Sequence, residues 1–140
     1  MRAVGVQAGG AAPVDRIVLD AQGRNLRRKL ITCESGEAVL VDLPRPVLLA
    51  HGDCLVLEDG RLIAVIAASE ELLELKGRDA AHLTRLAWHI GNRHLEAQIE
   101  AERILIRRDH VIAQMLAHQG AELREVSEPF HPERGAYHEH

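Results

Sequence analysis

A helical pattern lies just past the middle of this chain, at residues 79–91, which read DAAHLTRLAWHIG. Asp79 is a residue type that often caps a helix N-terminus, and Gly91 stands where many helices end on a left-handed residue. The apolar residues between them follow the i, i+3, i+4, i+7 spacing of one helix face: Leu83, Leu86, Ala87 and Ile90. We therefore predict an amphipathic helix that begins after Asp79 and ends near Gly91.

Strand and helix signals alternate on both sides of this helix. One strand pattern precedes it, and two short alternating segments, a second helix and a final strand follow it. In chain order these segments are residues 72–75, residues 95–100, residues 103–107, a helix between Asp109 and Gly120, and residues 123–126. The order β-α-β-β-α-β is that of a ferredoxin-like fold.

The first half of the chain has no helical periodicity. Short β-branched or alternating segments are separated there by residues typical of turns: residues 16–19, 37–43, 54–58 and 62–66. The Asp59-Gly60 pair predicts a hairpin between the last two segments, and Pro44 with Pro46 predicts a turn after the second. We predict an α+β fold class, with a small antiparallel β domain in residues 1–69 and a ferredoxin-like βαββαβ domain in residues 70–140.

The composition argues against several classes of protein. The formal net charge is −4, whereas a surface that binds nucleic acid needs a basic excess. The longest apolar run, residues 62–68, is too short to span a bilayer, and the N-terminus lacks a signal-peptide pattern. We therefore expect a cytoplasmic protein that binds neither nucleic acid nor membranes.

The two cysteines and one basic cluster are interpreted as ordinary structural features. Cys33 and Cys54 lack the spacing of a metal-binding or disulfide motif, so we expect both to be reduced thiols in the core. Arg24 and residues 27–29 form a small basic cluster, which we interpret as a solvated loop or strand face.

Histidine is the unusual residue type in this sequence. The chain contains nine histidines, of which only His51 and His82 precede Leu83. His82 and His89 lie on the predicted first helix, two turns or roughly 10 Å apart. That distance is too long for both rings to bind one ion, so a solvated helix face is the favoured interpretation of this pair.

Three other positions are candidates for binding a metal ion. His94 follows the predicted helix end, where a side chain can project from an edge. His110 falls in the first turn of the second helix, where the positive end of the helix dipole disfavours imidazolium. His138 and His140 alternate in the tail, so both rings could reach one ion from an extended chain. Motifs such as HExxH, a Gly-rich phosphate loop or GxSxG do not accompany them, so we expect a binding protein and not an enzyme.

Four motifs, in the same order as in the family, resemble the UreE family of urease accessory proteins. HIGNRH at residues 89–94 is similar to the family's HxGNRH signature. The other three are VDLPR at residues 41–45, DHV with ML within residues 109–116, and PFHPERGAY at residues 129–137. Together the four motifs span nearly the whole chain.

This resemblance implies a homodimeric nickel metallochaperone. It implies that His94 binds Ni²⁺ at the two-fold axis, that His110 is an auxiliary ligand, and that His138 and His140 are tail ligands. The N-terminal domain would engage partner proteins. The ion would pass to the maturation GTPase UreG and on to the complex of accessory proteins with apo-urease.

Two alternatives stay open at this point. The chain could be an interaction adaptor of the same complex that binds metal only incidentally, or it could carry copper or zinc, because Cu²⁺ and Zn²⁺ also bind imidazole. Many relatives end in a long histidine-rich tail, whereas this chain ends after His138 and His140. We therefore expect one or two ions per dimer and no high-capacity storage.

Overall fold

The chain divides into two compact units, Met1–Ala68 and a second unit that begins at Ser69, and the computed structural model describes residues 1–133. The first unit consists of β1 (Arg2–Gln7), β2 (Asp15–Leu19), β3 (Asn25–Thr32), β4 (Ala38–Leu48), β5 (Cys54–Leu57) and β6 (Leu62–Ala67). The second unit consists of β7 (Ser69–Lys76), α1 (Ala80–Asn92), β8 (Gln98–Ile99), β9 (Ile104–Arg107), α2 (His110–His118) and β10 (Glu122–Pro129). The predicted fold class, a β unit followed by an α+β unit, is confirmed.

The first unit is one six-stranded sheet in the order β2-β6-β5-β1-β4-β3. The predicted Asp59-Gly60 hairpin joins β5 to β6, and Gly60 has the positive φ of 89° that such a turn requires. The pairs β1·β5, β3·β4 and β5·β6 are antiparallel. The prediction of an antiparallel domain holds for these three pairs but is wrong for β1·β4 and β2·β6, which are parallel.

The turn predicted at Pro44 and Pro46 is wrong, because β4 continues through both prolines. The reason is a shift in the register between β3 and β4. Arg28 pairs with Asp42, whereas Leu26, two residues earlier in β3, pairs with Val47, five residues later in β4. Both prolines lie in the bulge between these pairs, where a missing N–H breaks no ladder hydrogen bond.

β1 and β3 were not predicted from the sequence. β1 contains a glycine, and β3 buries only two of its eight residues, so neither strand shows the alternation that reveals a half-buried strand. Arg24, immediately before β3, is buried, so the interpretation as a solvated face is wrong for this residue. Its Nε donates to the carbonyl of Leu49 at 3.0 Å and its Nη1 to the carbonyl of Leu19 at 3.3 Å. The other members of the basic cluster, residues 27–29, are exposed on β3.

The second unit has the predicted β-α-β-β-α-β order. Its sheet is antiparallel, in the order β10-β7-β9-β8. Asp79 and Asp109 cap the two helices, as predicted, and accept hydrogen bonds from backbone N–H groups of the first turns. The helices pack on one face of the sheet through an aliphatic core that includes Leu75, Leu86 and Ile104. Within residues 1–133, neither helix is long and apolar enough to cross a membrane.

His82 does not lie on a solvated helix face, so that interpretation is wrong for this residue. It is only 4% exposed. Its Nδ1 accepts a hydrogen bond from the Arg78 N–H at 2.9 Å, and its Nε2 lies 2.8 Å from the carbonyl of Gln119. The ring therefore links the start of α1 to the end of α2, with the proton on Nε2. Such a contact joins residues distant in sequence, and the local pattern does not reveal it.

We expect His82→Ala to lower the free energy of unfolding of the second unit by about 2 kcal/mol, because it removes a buried side chain and both hydrogen bonds that its ring makes, to Arg78 and Gln119. Thermal unfolding followed by circular dichroism would measure the loss. His118→Ala is the matched control, since His118 is also on a helix but exposed, and it should change stability by less than about 0.5 kcal/mol. Equal stability of the two variants would contradict the structural role of His82.

Candidate metal site

His94 occupies a specific position in the turn that ends α1. The helix end predicted near Gly91 is confirmed to within one residue, because α1 continues through Asn92 with Arg93 as its C-cap residue, but Gly91 is not the left-handed residue. His94 follows with a left-handed φ of 57°. Its N–H donates to the carbonyl of Gly91 at 3.0 Å, and the next N–H, of Leu95, donates to the carbonyl of Ile90 at 3.3 Å. This pair of bonds is the Schellman motif of helix C-termini.

The second helix ends on the same motif with a different residue. After the C-cap residue Gln119, Gly120 takes the left-handed position with a φ of 83°. Its N–H donates to the carbonyl of Ala117 at 3.0 Å, and the N–H of Ala121 donates to the carbonyl of Leu116 at 3.1 Å. The glycine predicted to end α2 is thus confirmed, and at the end of α1 a histidine stands where glycine is the usual choice.

The backbone conformation places the His94 imidazole at the surface. Ile90 is buried and Leu95 packs against the same core, whereas His94 between them is exposed. A non-glycine residue in the left-handed region costs about 1 kcal/mol. Residues held in such conformations cluster at functional sites, and an exposed imidazole nitrogen can bind nickel, copper or zinc.

His110 is the first residue of α2 and is exposed. Asp109 immediately before it accepts hydrogen bonds from the N–H groups of Val111 and Ile112 at 2.9 and 3.0 Å. The Nε2 of His110 lies 3.3 Å from the Nε2 of Gln114. The ring is thus exposed in the first turn of α2, where the sequence predicted it to be.

The remaining predicted ligands, His138 and His140, lie outside the described residues. Within residues 1–133, no three histidine, cysteine, aspartate or glutamate side chains form a group that could hold a metal ion. Cys33 and Cys54 are free and buried, as predicted. Burial raises the pKa of both thiols, which disfavours the thiolate that a metal would bind.

The residues that follow β10 return to the neighbourhood of His94, which no spacing in the sequence indicated. The N–H of Glu133 donates to the carbonyl of Ala97 at 2.7 Å, only three residues after His94. Phe130 is completely buried and is the only phenylalanine in the chain. A single phenylalanine beside Pro129 gives no periodic pattern in the sequence. Its burial and the hydrogen bond between Glu133 and Ala97 were therefore identified only from the structure.

Replacing His94 by glycine should stabilise the second unit while it removes the imidazole. We expect His94→Gly to be about 1 kcal/mol more stable to thermal unfolding than His94→Ala, because both lose the ring but only glycine adopts a φ near 57° without strain. Circular dichroism melting of the two variants side by side would measure this difference. If their melting temperatures were equal, the left-handed conformation of residue 94 would be contradicted.

Family models and related proteins match nearly the whole of this chain. The family model described as the N-terminal domain of UreE urease accessory protein matches residues 3–68, and that of the C-terminal domain matches residues 70–140. The urease accessory protein UreE of Rhizobium rhizogenes is 61% identical to this chain, over 91% of the chain and 77% of its own length.

Two further relatives are similarly close, and they extend beyond the matched part. Urease accessory protein UreE of Rhizobium etli is 57% identical over 91% of this chain but only 63% of its own length. Urease accessory protein UreE 1 of Brucella suis is 58% identical over 91% of the chain and 78% of its own length. Both structural units are matched at high identity, and this chain therefore belongs to the UreE family of urease accessory proteins.

Proposed function

We propose that this chain is a nickel carrier that binds Ni²⁺ through His94 and delivers it for assembly of the urease active site. The observation that carries the proposal is the exposed imidazole of His94, held on a left-handed turn between the buried Ile90 and the partly buried Leu95. Membership in the urease accessory family supports nickel as the cargo.

A homodimer supplies the ligands that one chain lacks at this position. A transition metal needs several donors, and two-fold symmetry doubles each ligand without a change in sequence. In the proposed site, two copies of His94 bind one ion at the dimer axis. His110, His138 and His140 supply further donors when the ion is held or handed over.

An incomplete and exposed ligand shell suits a carrier. The ion must leave by ligand exchange, and an incoming donor of the partner protein can reach an ion that the chain does not enclose. The proposed recipients are the GTPase UreG and the complex of accessory proteins with apo-urease. The chain itself performs no catalysis in this scheme, and the N-terminal β unit serves as the surface that engages partner proteins.

Nickel titration of the full chain tests the proposal. We expect calorimetry to detect tight binding at about one ion per two chains, and native mass spectrometry to report the same ratio. His94→Ala should weaken this binding at least about tenfold, because it removes a direct ligand from both chains. His118→Ala, which removes another exposed histidine, should leave the affinity unchanged.

Other outcomes of this titration would separate the alternatives. Unchanged binding in His94→Ala, with loss when His138 and His140 are both replaced by alanine, would move the site to the tail. Absence of nickel binding in the unaltered chain would contradict the carrier and favour the adaptor. Competition with Cu²⁺ is not informative, since copper binds nitrogen donors more tightly than nickel at most sites.

Nickel affinity should fall as the solution becomes acidic. Metal binding requires the neutral imidazole, so protons compete with nickel for each histidine ligand and the dissociation constant rises as the pH is lowered. Repeating the titration between about pH 7.5 and pH 5.5, across the range in which histidine ordinarily titrates, would measure the effect. An affinity that stays flat over this range would argue against imidazole ligands.

A further inference from the structure

One side of the β3 backbone has no neighbouring strand in the described part of the chain. β3 is an edge strand of the first sheet and pairs only with β4. Alternate residues of an antiparallel strand turn their N–H and C=O groups to opposite sides. The N–H of Cys33, which directly follows β3, donates to the carbonyl of Glu37 on the β4 side. Leu30 and Arg28 lie three and five residues before Cys33, so their backbone groups point to the other, open side, where they have no hydrogen-bond partner within residues 1–133.

Four exposed cations surround this open side of β3. They are Arg27, Arg28 and Lys29 of β3 and Arg45 of β4. Arg45 lies in the bulge of β4 opposite Arg27. Asp42 is the only carboxylate on the two strands, and its Oδ2 lies 2.6 Å from Nη2 of Arg2 as well as 3.2 Å from Nη1 of Arg28. Positive charge is therefore concentrated here, on a chain whose formal net charge is −4.

Leu30 adds an apolar contact at the same place. Its side chain is 67% exposed, whereas that of its neighbour Ile31 is only 6% exposed. Side chains alternate between the two faces of a strand, so Leu30 lies on the face opposite the core that contains Ile31. Residues 27–30 together with Arg45, here called the basic edge, thus combine open backbone groups, positive charge and one exposed leucine.

The charges of the basic edge decide which kind of strand can pair with it. A second copy of this chain would set arginine and lysine against arginine and lysine, and like charges directly opposite each other destabilise a sheet. Nucleic acid is also disfavoured, because residues 1–68 contain no phenylalanine, tyrosine or tryptophan on which bases could stack. An extended segment rich in aspartate or glutamate has the complementary charge.

We propose that the basic edge binds an extended acidic segment of a partner protein, which adds to the first sheet as a further strand beside β3. The inference specifies the surface through which the N-terminal unit engages partners, and in this respect it rests on the proposed function. The backbone of the segment pairs with the outward N–H and C=O groups of Arg28 and Leu30. Its carboxylates lie beside Arg27, Lys29 and Arg45, which form no ion pair within residues 1–133.

Strand pairing and charge have separate roles in this mode of binding. Exposed ion pairs contribute little energy each, but complementary charge speeds the encounter and excludes wrong partners. The backbone hydrogen bonds fix the direction and register of the segment and require that it be extended. An acidic segment that cannot form a strand should therefore bind weakly, and so should a strand that lacks negative charge.

The test uses the full chain without nickel and a short fluorescein-labelled peptide in which valine and glutamate alternate. Binding is measured by fluorescence anisotropy at low ionic strength, where exposed charges are screened least. Two control peptides separate the contributions of charge and strand pairing. One carries lysine in place of each glutamate. The other keeps every glutamate but has N-methyl groups on two neighbouring central residues, so that neither of its edges can form a regular ladder.

Variants of the chain test the same two contributions. Leu30→Pro removes the outward N–H without removing a bond to β4, as proline on an edge strand allows, and Leu30→Ala is the matched control that keeps this N–H. We expect Leu30→Pro to bind the acidic peptide at least about threefold more weakly than Leu30→Ala, because one hydrogen bond is lost. Lys29→Glu should weaken binding at least about threefold. Arg85→Glu, the same charge change on an exposed residue of α1, should leave the affinity unchanged.

Failure of the acidic peptide to bind, or equal binding of the N-methylated peptide, would overturn strand addition at the basic edge. So would an unchanged affinity in Lys29→Glu, or tighter binding of a single-stranded oligonucleotide than of the acidic peptide. If Leu30→Pro fails to fold by circular dichroism, the N-methylated peptide tests the same pairing on the unaltered chain. Because the titration contains no nickel, its failure would leave the proposed nickel site at His94 standing, and loss of that site would leave the peptide binding measurable.

Discussion

The hydrogen bond from the Leu95 N–H to the carbonyl of Ile90 fixes the position at which the chain leaves α1. It requires the residue between the helix cap and Leu95 to turn left-handed, and that residue is His94. Ile90 is buried in the core and the partly buried Leu95 packs against the same core, which holds both ends of the turn. The exposed imidazole and the path into β8 both follow from this turn. The candidate site is therefore created by backbone geometry, and the histidine needs no packing of its own.

Local signals in the sequence were sufficient for the architecture of the second unit. Apolar spacing and two aspartate caps specify α1 and α2, because helix hydrogen bonds join residues close in sequence. Features that depend on contacts between residues distant in sequence could not be predicted from local patterns. The bulge that accommodates Pro44 and Pro46 depends on the register with β3. The burial of His82 depends on a hydrogen bond with the carbonyl of Gln119, the C-cap residue of α2.

The candidate site was likewise predictable from the local sequence only in part. The position of His94 after a helix, and the resemblance of the surrounding motif, identified it from the sequence. Its left-handed conformation could not be predicted, because Gly91 offered the more conventional end for the helix. The contact between Phe130 and Arg107 joins residues of different elements, and a single aromatic residue carries no periodic signal that would reveal it.

The placement of β1 has a consequence for synthesis of the protein. β1 lies in the interior of the first sheet, paired with β4 on one side and β5 on the other. During synthesis β1 therefore gains its first neighbour only when residues 38–48 have emerged, and its second only when residues 54–57 follow. Strand edges that wait for distant partners are prone to pair wrongly with other chains. Nascent chains of this protein thus pass through a stage in which β1 is present without either of its sheet partners.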